Sequence, residues 1–320
     1  MREQYLETAK LLVQIAPTIF ADRRFALKGG TAINLFVRDM PRLSVDLDLV
    51  FLDHRKNRVE SIAEIGAAFD AIASKLRHRG YKVDFAPPAA SQAEEHKMFV
   101  QSGSIRVKVE VNPVMRGTLH PPVNRPLSAA AQKRLGLELE LPIVSLSDLY
   151  AGKLVAALDR QHPRDLFDVK LLFESDGLTA EMRRAFVVYL ACHNRPVHEV
   201  LFPKRKDITL DYNSAFFGMT DSQVTLEQIC EVRERLCSDL PNQLDKAERA
   251  FLLSLVSNEP IEEILGFVNL NELPAIRWKK QNIAHLAARN PQKLAQQHQA
   301  LLAAFTALET RDGQSSTPNP

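Results

Sequence analysis

Apolar and polar residues alternate along several short segments in the first 145 residues, and this period of two predicts β-strands. In residues 43–52 the apolar side chains share one face, and the opposite face carries Ser44, Asp46 and Asp48. Further strands are predicted at 25–30, 81–85, 96–102, 104–111 and 137–144. The segments 96–102 and 104–111 are joined around Ser102-Gly103, as in a β-hairpin.

A period of 3.6 residues predicts helices, which are interspersed with strands before residue 145 and uninterrupted after it. The helical segments are 4–16 (before Pro17), 31–37, 56–79, 145–160, 164–174, 179–193, 225–240, 243–256, 272–289 and 291–308. The stretch from Pro113 to about 140 reads as mostly irregular. We therefore predict an α+β domain over residues 1–145, an all-helical domain over 146–310 and a disordered tail over 311–320.

Composition excludes several classes of protein without choosing a function. Lysine plus arginine (41) nearly balances aspartate plus glutamate (39), so the net charge of +2 demands no nucleic-acid partner. Three cysteines without a CxxC pair argue against a disulfide framework or a zinc site. The amino terminus is polar and no run of about 18 apolar residues exists. These features predict a cytoplasmic protein without a membrane partner.

Asp46 and Asp48 are the first candidates for chemistry. Two residues apart on a strand, their carboxylates lie on one face about 6.6 Å apart. That spacing suits Mg²⁺ or Mn²⁺ held by carboxylates together with substrate phosphates. The alternative is an acidic, solvent-facing strand. Ser44 shares the face, and a phosphate on its hydroxyl would place negative charge beside the carboxylates.

Glu110 strengthens the metal interpretation because it lies on the polar face of the second hairpin strand. If that strand neighbours residues 43–52, Glu110 completes a cluster of three carboxylates, which a divalent cation would neutralise. The same face carries Arg106 and Lys108. A purely structural network of ion pairs is therefore the alternative.

A glycine pair precedes the predicted helix at 31–37. Glycines allow close backbone approach, and free N–H groups at the start of a helix attract phosphate. We therefore predict that Lys28, Gly29, Gly30 and Thr31 bind the triphosphate of a nucleotide, with Arg42 and Ser44 adjoining them.

Two stretches resemble a known family. KGGTAINLFVRDMPRLSVDLDL is similar to the first motif of the DNA polymerase β-type nucleotidyltransferases, and its R-x-S-x-D-x-D form resembles the AbiEii-type toxin nucleotidyltransferases. DLYAGKLVAALDRQHPRDLFDVKLL resembles the second signature of that toxin family, and WKKQNI resembles its C-terminal helix. The resemblance spans roughly residues 25–290. It implies a polymerase β-type catalytic domain with a mixed or antiparallel sheet.

The second signature places Lys153 and Asp165 in the active centre between the domains, by resemblance alone. The alternatives are that Lys153 is a surface lysine with an apolar stem, and that Arg164, Asp165 and Asp168 form a structural ion-pair set. Short basic runs beside aromatic residues are candidates for RNA binding or simply solvated faces. They lie at 183–184, 204–206 and 277–280.

The resemblance implies a metal-dependent nucleotidyltransferase that transfers NMP from an NTP, with tRNA 3′ ends as the acceptor. It further implies the toxin of a toxin–antitoxin or phage-defence system that blocks translation, with a cognate antitoxin as partner. Two alternatives remain. One is transfer to a protein or small molecule, and the other is a non-catalytic NTP-binding interaction protein.

Overall fold

The computed structural model describes residues 3–86, 96–268 and 270–315. The chain divides into two compact units, Met1–Leu149 with Leu210–Val224, and Tyr150–Thr209 with Thr225–Pro320. The first boundary lies near the predicted one. The assignment of Leu210–Val224 to the first unit was not predicted, because those residues lie deep within the stretch expected to be helical domain.

The first unit contains a mixed seven-stranded sheet among the described residues, in the order β3-β4-β5-β2-β1-β7-β6. Its strands are β1 Phe25–Lys28, β2 Asp46–Phe51, β3 Lys82–Phe85, β4 His96–Ser102, β5 Ile105–Val111, β6 Val123–Pro126 and β7 Glu140–Ile143. Strand β2 runs antiparallel to β1 and parallel to β5. The predicted α+β class is confirmed, and β2 is central.

Helices cover one face of this sheet. Those of the first unit are α1 Glu3–Phe20, α2 Gly29–Thr31 with a π-helical continuation Ala32–Val37, α3 Arg58–His78 and α4 Ala129–Leu135. Helix α1 packs on β5, and α3 packs on β3 and β4. The valines of β5 and the leucines of β2 are buried on that face. The alternating polar side chains of both strands therefore lie on the opposite face.

Local signals explain the best-predicted helix, α3. Asn57 and Glu60 form a capping box at its start, and Gly80 follows its end with φ +88°. An apolar stripe of Ile65, Phe69 and Ile72 is buried along its length.

Three sequence expectations need correction. Helix α1 continues through Pro17 to Phe20, because the burial of Ile19 and Phe20 stabilises the last turn. The region expected to be irregular contains β6 and α4; β6 pairs with the edge of β7, a long-range contact that short-range patterns do not reveal. The last helix extends to Ser315, so residues 311–315 are helical; residues 316–320 of the predicted tail lie outside the described residues.

Every regular element described in the second unit is helical. The helices are the larger part of α5 Leu146–Arg160, then α6 Pro163–Glu174, α7 Ala180–Ala191, α8 Val197–Leu201, α10 Leu226–Gln243, α11 Lys246–Val256, α12 Pro274–Arg289 and α13 Pro291–Ser315. The short α9 Thr209–Asp211 bridges the second boundary. In the described parts, no helix is both long and apolar enough to cross a bilayer.

Candidate active site

Asp48 and Glu110 lie side by side on neighbouring strands. The parallel register of β2 and β5 pairs Asp46 with Lys108 and Asp48 with Glu110. The adjacency of these two strands, which the sequence analysis had to assume, is therefore present. It brings three carboxylates to one polar face, at the end of β2 nearest to Gly29.

Lysine side chains from the hairpin form ion pairs with two of these carboxylates. Lys108 Nζ lies 3.2 Å from Glu110 Oε2 and 3.9 Å from Asp46 Oδ2, and Lys97 Nζ lies 3.8 Å from Glu110 Oε2. Burial raises the pKa of Glu110 and the charge of Asp48 raises it further, while Lys108 opposes both. The ammonium groups of Lys97 and Lys108 thus offset the negative charge of the three carboxylates only in part.

The types of residue on this face suit a divalent cation, but their side chains are not arranged as a preformed metal site. Across residues 3–86, 96–268 and 270–315, no group of three or more His, Cys, Asp or Glu side chains stands ready to hold a metal ion. Two aspartates on one strand, with Glu110 in register, nevertheless provide the oxygen ligands that Mg²⁺ shares with substrate phosphates. Asp46 and Asp48 are therefore the side chains that would hold the ion.

The glycine pair is required by close packing at the end of β1. Gly29 has φ +78°, and a Cβ there would lie 2.2 Å from Asp48 Oδ2. A Cβ on Gly30 would lie 2.7 Å from Arg42 Nη2. Both positions are therefore restricted to glycine by their neighbours, and the first also by its backbone conformation.

Hydroxyl and amide groups fasten the turn to β2. Thr31 Oγ1 lies 2.5 Å from the carbonyl oxygen of Asp46, to which it donates, and 3.0 Å from Ser44 Oγ. Asn34 Nδ2 donates to the carbonyl of Gly30 at 2.9 Å. The turn, Ser44 and the first aspartate are consequently one connected structure.

Arg42 is buried, with only 2% of its surface exposed. Its Nη1 donates to the carbonyl of Leu43 at 2.9 Å, and its Nη2 lies against Gly30. The guanidinium group is thus packed under the glycine turn. Its predicted contact with nucleotide remains a prediction.

Lys153 and Asp165 form the centre of a buried ion cluster within the second unit. Lys153 Nζ lies 2.7 Å from Asp165 Oδ1 and 2.9 Å from Asp168 Oδ2, and Arg160 also binds Asp165. Burial alone would raise the pKa of Asp165, but the neighbouring Lys153 and Arg160 hold it well below its usual range. The surface-lysine alternative for Lys153 is wrong, since only 6% of its side chain is exposed.

Another residue of the second signature links α5 to the loop that follows α7. Asp159, near the end of α5, binds Arg195 at 2.5 Å and lies 3.5 Å from His193, both of which follow α7. The aspartates of this signature therefore organise the helical unit as well as holding Lys153.

Most of the basic runs are engaged inside the protein. Arg183 binds Glu248, and Lys280 binds Glu262. Lys279 donates to the carbonyls of His193 and Arg195, and burial lowers its pKa to about 8. These three residues favour the structural interpretation, whereas Arg184 and Lys204 are exposed.

Sequence reasoning missed two contributors to the first site. Lys97 was detectable, because the hairpin register places it opposite Glu110. The contact of Leu210–Val224 with the R-x-S segment was not detectable, because Thr220 and its partner Pro41 are 179 residues apart.

Comparisons with known proteins identify the family and the fold of the chain. A family model described as the nucleotidyl transferase AbiEii toxin of type IV toxin–antitoxin systems matches residues 10–282. The chain belongs to this family. A comparison with curated protein sequences gave no match. Among solved structures, MenT4, a nucleotidyltransferase toxin from Mycobacterium tuberculosis H37Rv, aligns with a TM-score of 0.57 and 17% sequence identity. The alignment covers 89% of this chain and 95% of that one.

Membership of the AbiEii family confirms the resemblance and the predicted enzyme class. The protein is a nucleotidyltransferase toxin, with an NTP as substrate and an antitoxin as partner. The family also implies a divalent metal. The likeness to MenT4 supports a shared fold and nothing further, because the sequence identity is low.

Proposed function

We propose that this AbiEii-family toxin transfers NMP from an NTP to the 3′ end of tRNA in a Mg²⁺-dependent reaction and thereby blocks translation. The observation that carries the proposal is the register of Asp48 with Glu110, next to a glycine turn that packs against Asp48 itself. Phosphate-binding backbone and metal-binding carboxylates then lie at one end of one sheet.

Each group has a proposed role. Asp46 and Asp48 would hold the metal, which would stabilise the negative charge that develops on the phosphates. The turn Gly29–Thr31 holds the β- and γ-phosphates through backbone N–H groups. The acceptor hydroxyl attacks the α-phosphorus, a new O–P bond forms, and the bond to the β-phosphate oxygen breaks. Pyrophosphate leaves, and Glu110 or Asp48 accepts the proton of the hydroxyl.

Lys153 and Asp165 remain proposed members of the active centre, on the strength of the family signature. Their short contact fixes the ammonium group of Lys153 in one position. A fixed positive charge of this kind is suited to contact nucleotide phosphates.

Purified protein incubated with total tRNA and each α-labelled NTP tests the proposal. We expect label on tRNA with Mg²⁺ or Mn²⁺ and none with a chelator. Asp46→Ala is expected to abolish both labelling and growth inhibition on expression, and Lys153→Met to reduce labelling strongly. Label on protein or on a small molecule would replace tRNA as acceptor. Full activity of Asp46→Ala would contradict the mechanism.

A further inference from the structure

The segment Leu210–Val224, here called the strap, belongs to the first unit although the chain on either side of it belongs to the second. It contacts the R-x-S segment that precedes β2. The backbone N–H of Leu43 donates to the carbonyl of Met219 at 2.8 Å, and Thr220 Oγ1 donates to the carbonyl of Pro41 at 2.8 Å. Arg42 and Thr220 form an isolated antiparallel bridge.

The strap has an internal structure of its own. The Tyr212 hydroxyl donates a hydrogen bond to the carbonyl of Val224 at 2.6 Å, which joins the two ends of the strap. Phe216 packs against the Tyr212 ring, with 5.6 Å between ring centroids, and is buried together with Met219. Asp221 binds Arg134 of α4 at 2.7 Å. The strap is therefore a folded segment that is attached to the first unit at residues 41–43 and at Arg134.

A chain of contacts runs from the strap to the proposed triphosphate seat. Thr220 holds the backbone of residues 41–43, and this backbone carries Arg42 beneath Gly30. Ser44 follows at once and touches Thr31. A displacement of the R-x-S segment would consequently move the underside of the glycine turn.

We propose that the strap is a positioning element for the triphosphate seat, with Thr220 and Arg42 as positioning residues. This inference rests on the proposed function. Arg42 acts through the turn that it supports, because its guanidinium group is buried and bonded to backbone. Thr220 sets the position of that support from a part of the chain that no sequence motif links to the site.

Thr220→Val and Thr220→Ser test the inference as a matched pair. Valine keeps the shape but loses the hydroxyl, which donates to Pro41 and accepts from the N–H of Ser222. Serine keeps both bonds. We expect Thr220→Val to raise the KM for NTP about fivefold, the factor that corresponds to loss of the bond to Pro41, with kcat within about twofold of wild type. Thr220→Ser is expected to restore the wild-type KM.

Two readouts separate this inference from the proposed function. Amide exchange at Leu43 and residues 29–31 needs no substrate, and we expect it to be faster in Thr220→Val than in Thr220→Ser. Thermal melting checks that the variants fold, and Thr220→Ala serves as a second variant if valine does not. Unchanged KM and exchange in a folded, hydroxyl-free variant would overturn the role of the strap, as would equal impairment in Thr220→Ser. A wild-type protein that transfers no nucleotide would overturn the proposed function instead, while the exchange comparison would still decide the inference.

Discussion

Lys108 is the residue whose position bears most directly on the proposed metal site. Its ammonium group lies near both Asp46 and Glu110, where a divalent ion would otherwise compensate charge. The ion-pair alternative and the metal-site interpretation are thus compatible. The lysine stabilises the carboxylates, and it would compete with a metal ion for them.

Replacing Lys108 by glutamine should therefore strengthen metal binding while weakening the metal-free protein. We expect the Kd for Mn²⁺, measured by titration calorimetry at pH 8, to fall about fivefold, which corresponds to about 1 kcal/mol. The melting temperature in chelator should fall as well, because Asp46 and Glu110 then lose their shared cation.

Lys82→Gln is the matched control, since Lys82 lies on the same sheet and pairs only with the exposed Asp84 among the described contacts of its strand. It should leave the Kd unchanged. A Kd that rises in Lys108→Gln would show that the lysine organises the carboxylates rather than competing for them.

At the scale of elements, the turn between β1 and the following helix depends on what lies beneath it. Position 29 has a positive φ, which favours glycine. In addition, the Asp48 carboxylate occupies the space that a side chain at position 29 would fill. The first requirement concerns stability, whereas the second concerns the geometry of the proposed metal ligand. The two requirements can be separated, because other glycines of the chain meet only the first.

Gly29→Ala should abolish transfer, because the new Cβ would displace the Asp48 carboxylate. Gly80→Ala is the control. Its φ of +88° imposes a similar backbone penalty of about 1–2 kcal/mol, yet nothing lies within 4 Å of a Cβ there. Both variants should melt at lower temperature, and only Gly29→Ala should lose nucleotide transfer. Equal activity in the two would mean that the turn does not constrain Asp48.

How far the site can be predicted from sequence depends on the range of its contacts. Alternation alone placed Asp46, Asp48 and Glu110 on polar faces, because the period of a strand is local. The pairing of β2 with β5 is not local, since α3, β3 and β4 intervene. The fit of Gly29 over Asp48 and the bridge from Thr220 to Arg42 require the folded chain, and no short-range pattern specifies them.

At the scale of the whole molecule, the near-zero net charge conceals an uneven use of basic residues. Arg183, Lys279 and Lys280 stabilise the helical unit through internal contacts. Arg184 and Lys204 are exposed residues of the same runs and could contact an RNA backbone. Only these exposed residues are therefore expected to change tRNA binding without changing stability.

The double substitution Arg184→Glu with Lys204→Glu should weaken tRNA binding about tenfold at low salt, and the difference should shrink as salt rises. Lys246→Glu with Arg289→Glu changes the net charge equally at exposed positions outside the basic runs. A filter-binding titration at several salt concentrations compares the pairs. Equal losses in both would indicate a general charge effect rather than binding by these runs.

The strap also determines when synthesis of the first unit can be completed. The first 149 residues of this unit are synthesised before Leu210–Val224. A further 75 residues must be added before the unit is complete. At the usual rate of synthesis this takes roughly 4–15 s. During that interval the backbone of residues 41–43 lacks its Met219 and Thr220 partners. A toxin assembled in this order gains the support of its proposed nucleotide seat only after residues 150–209 of the helical unit have been made.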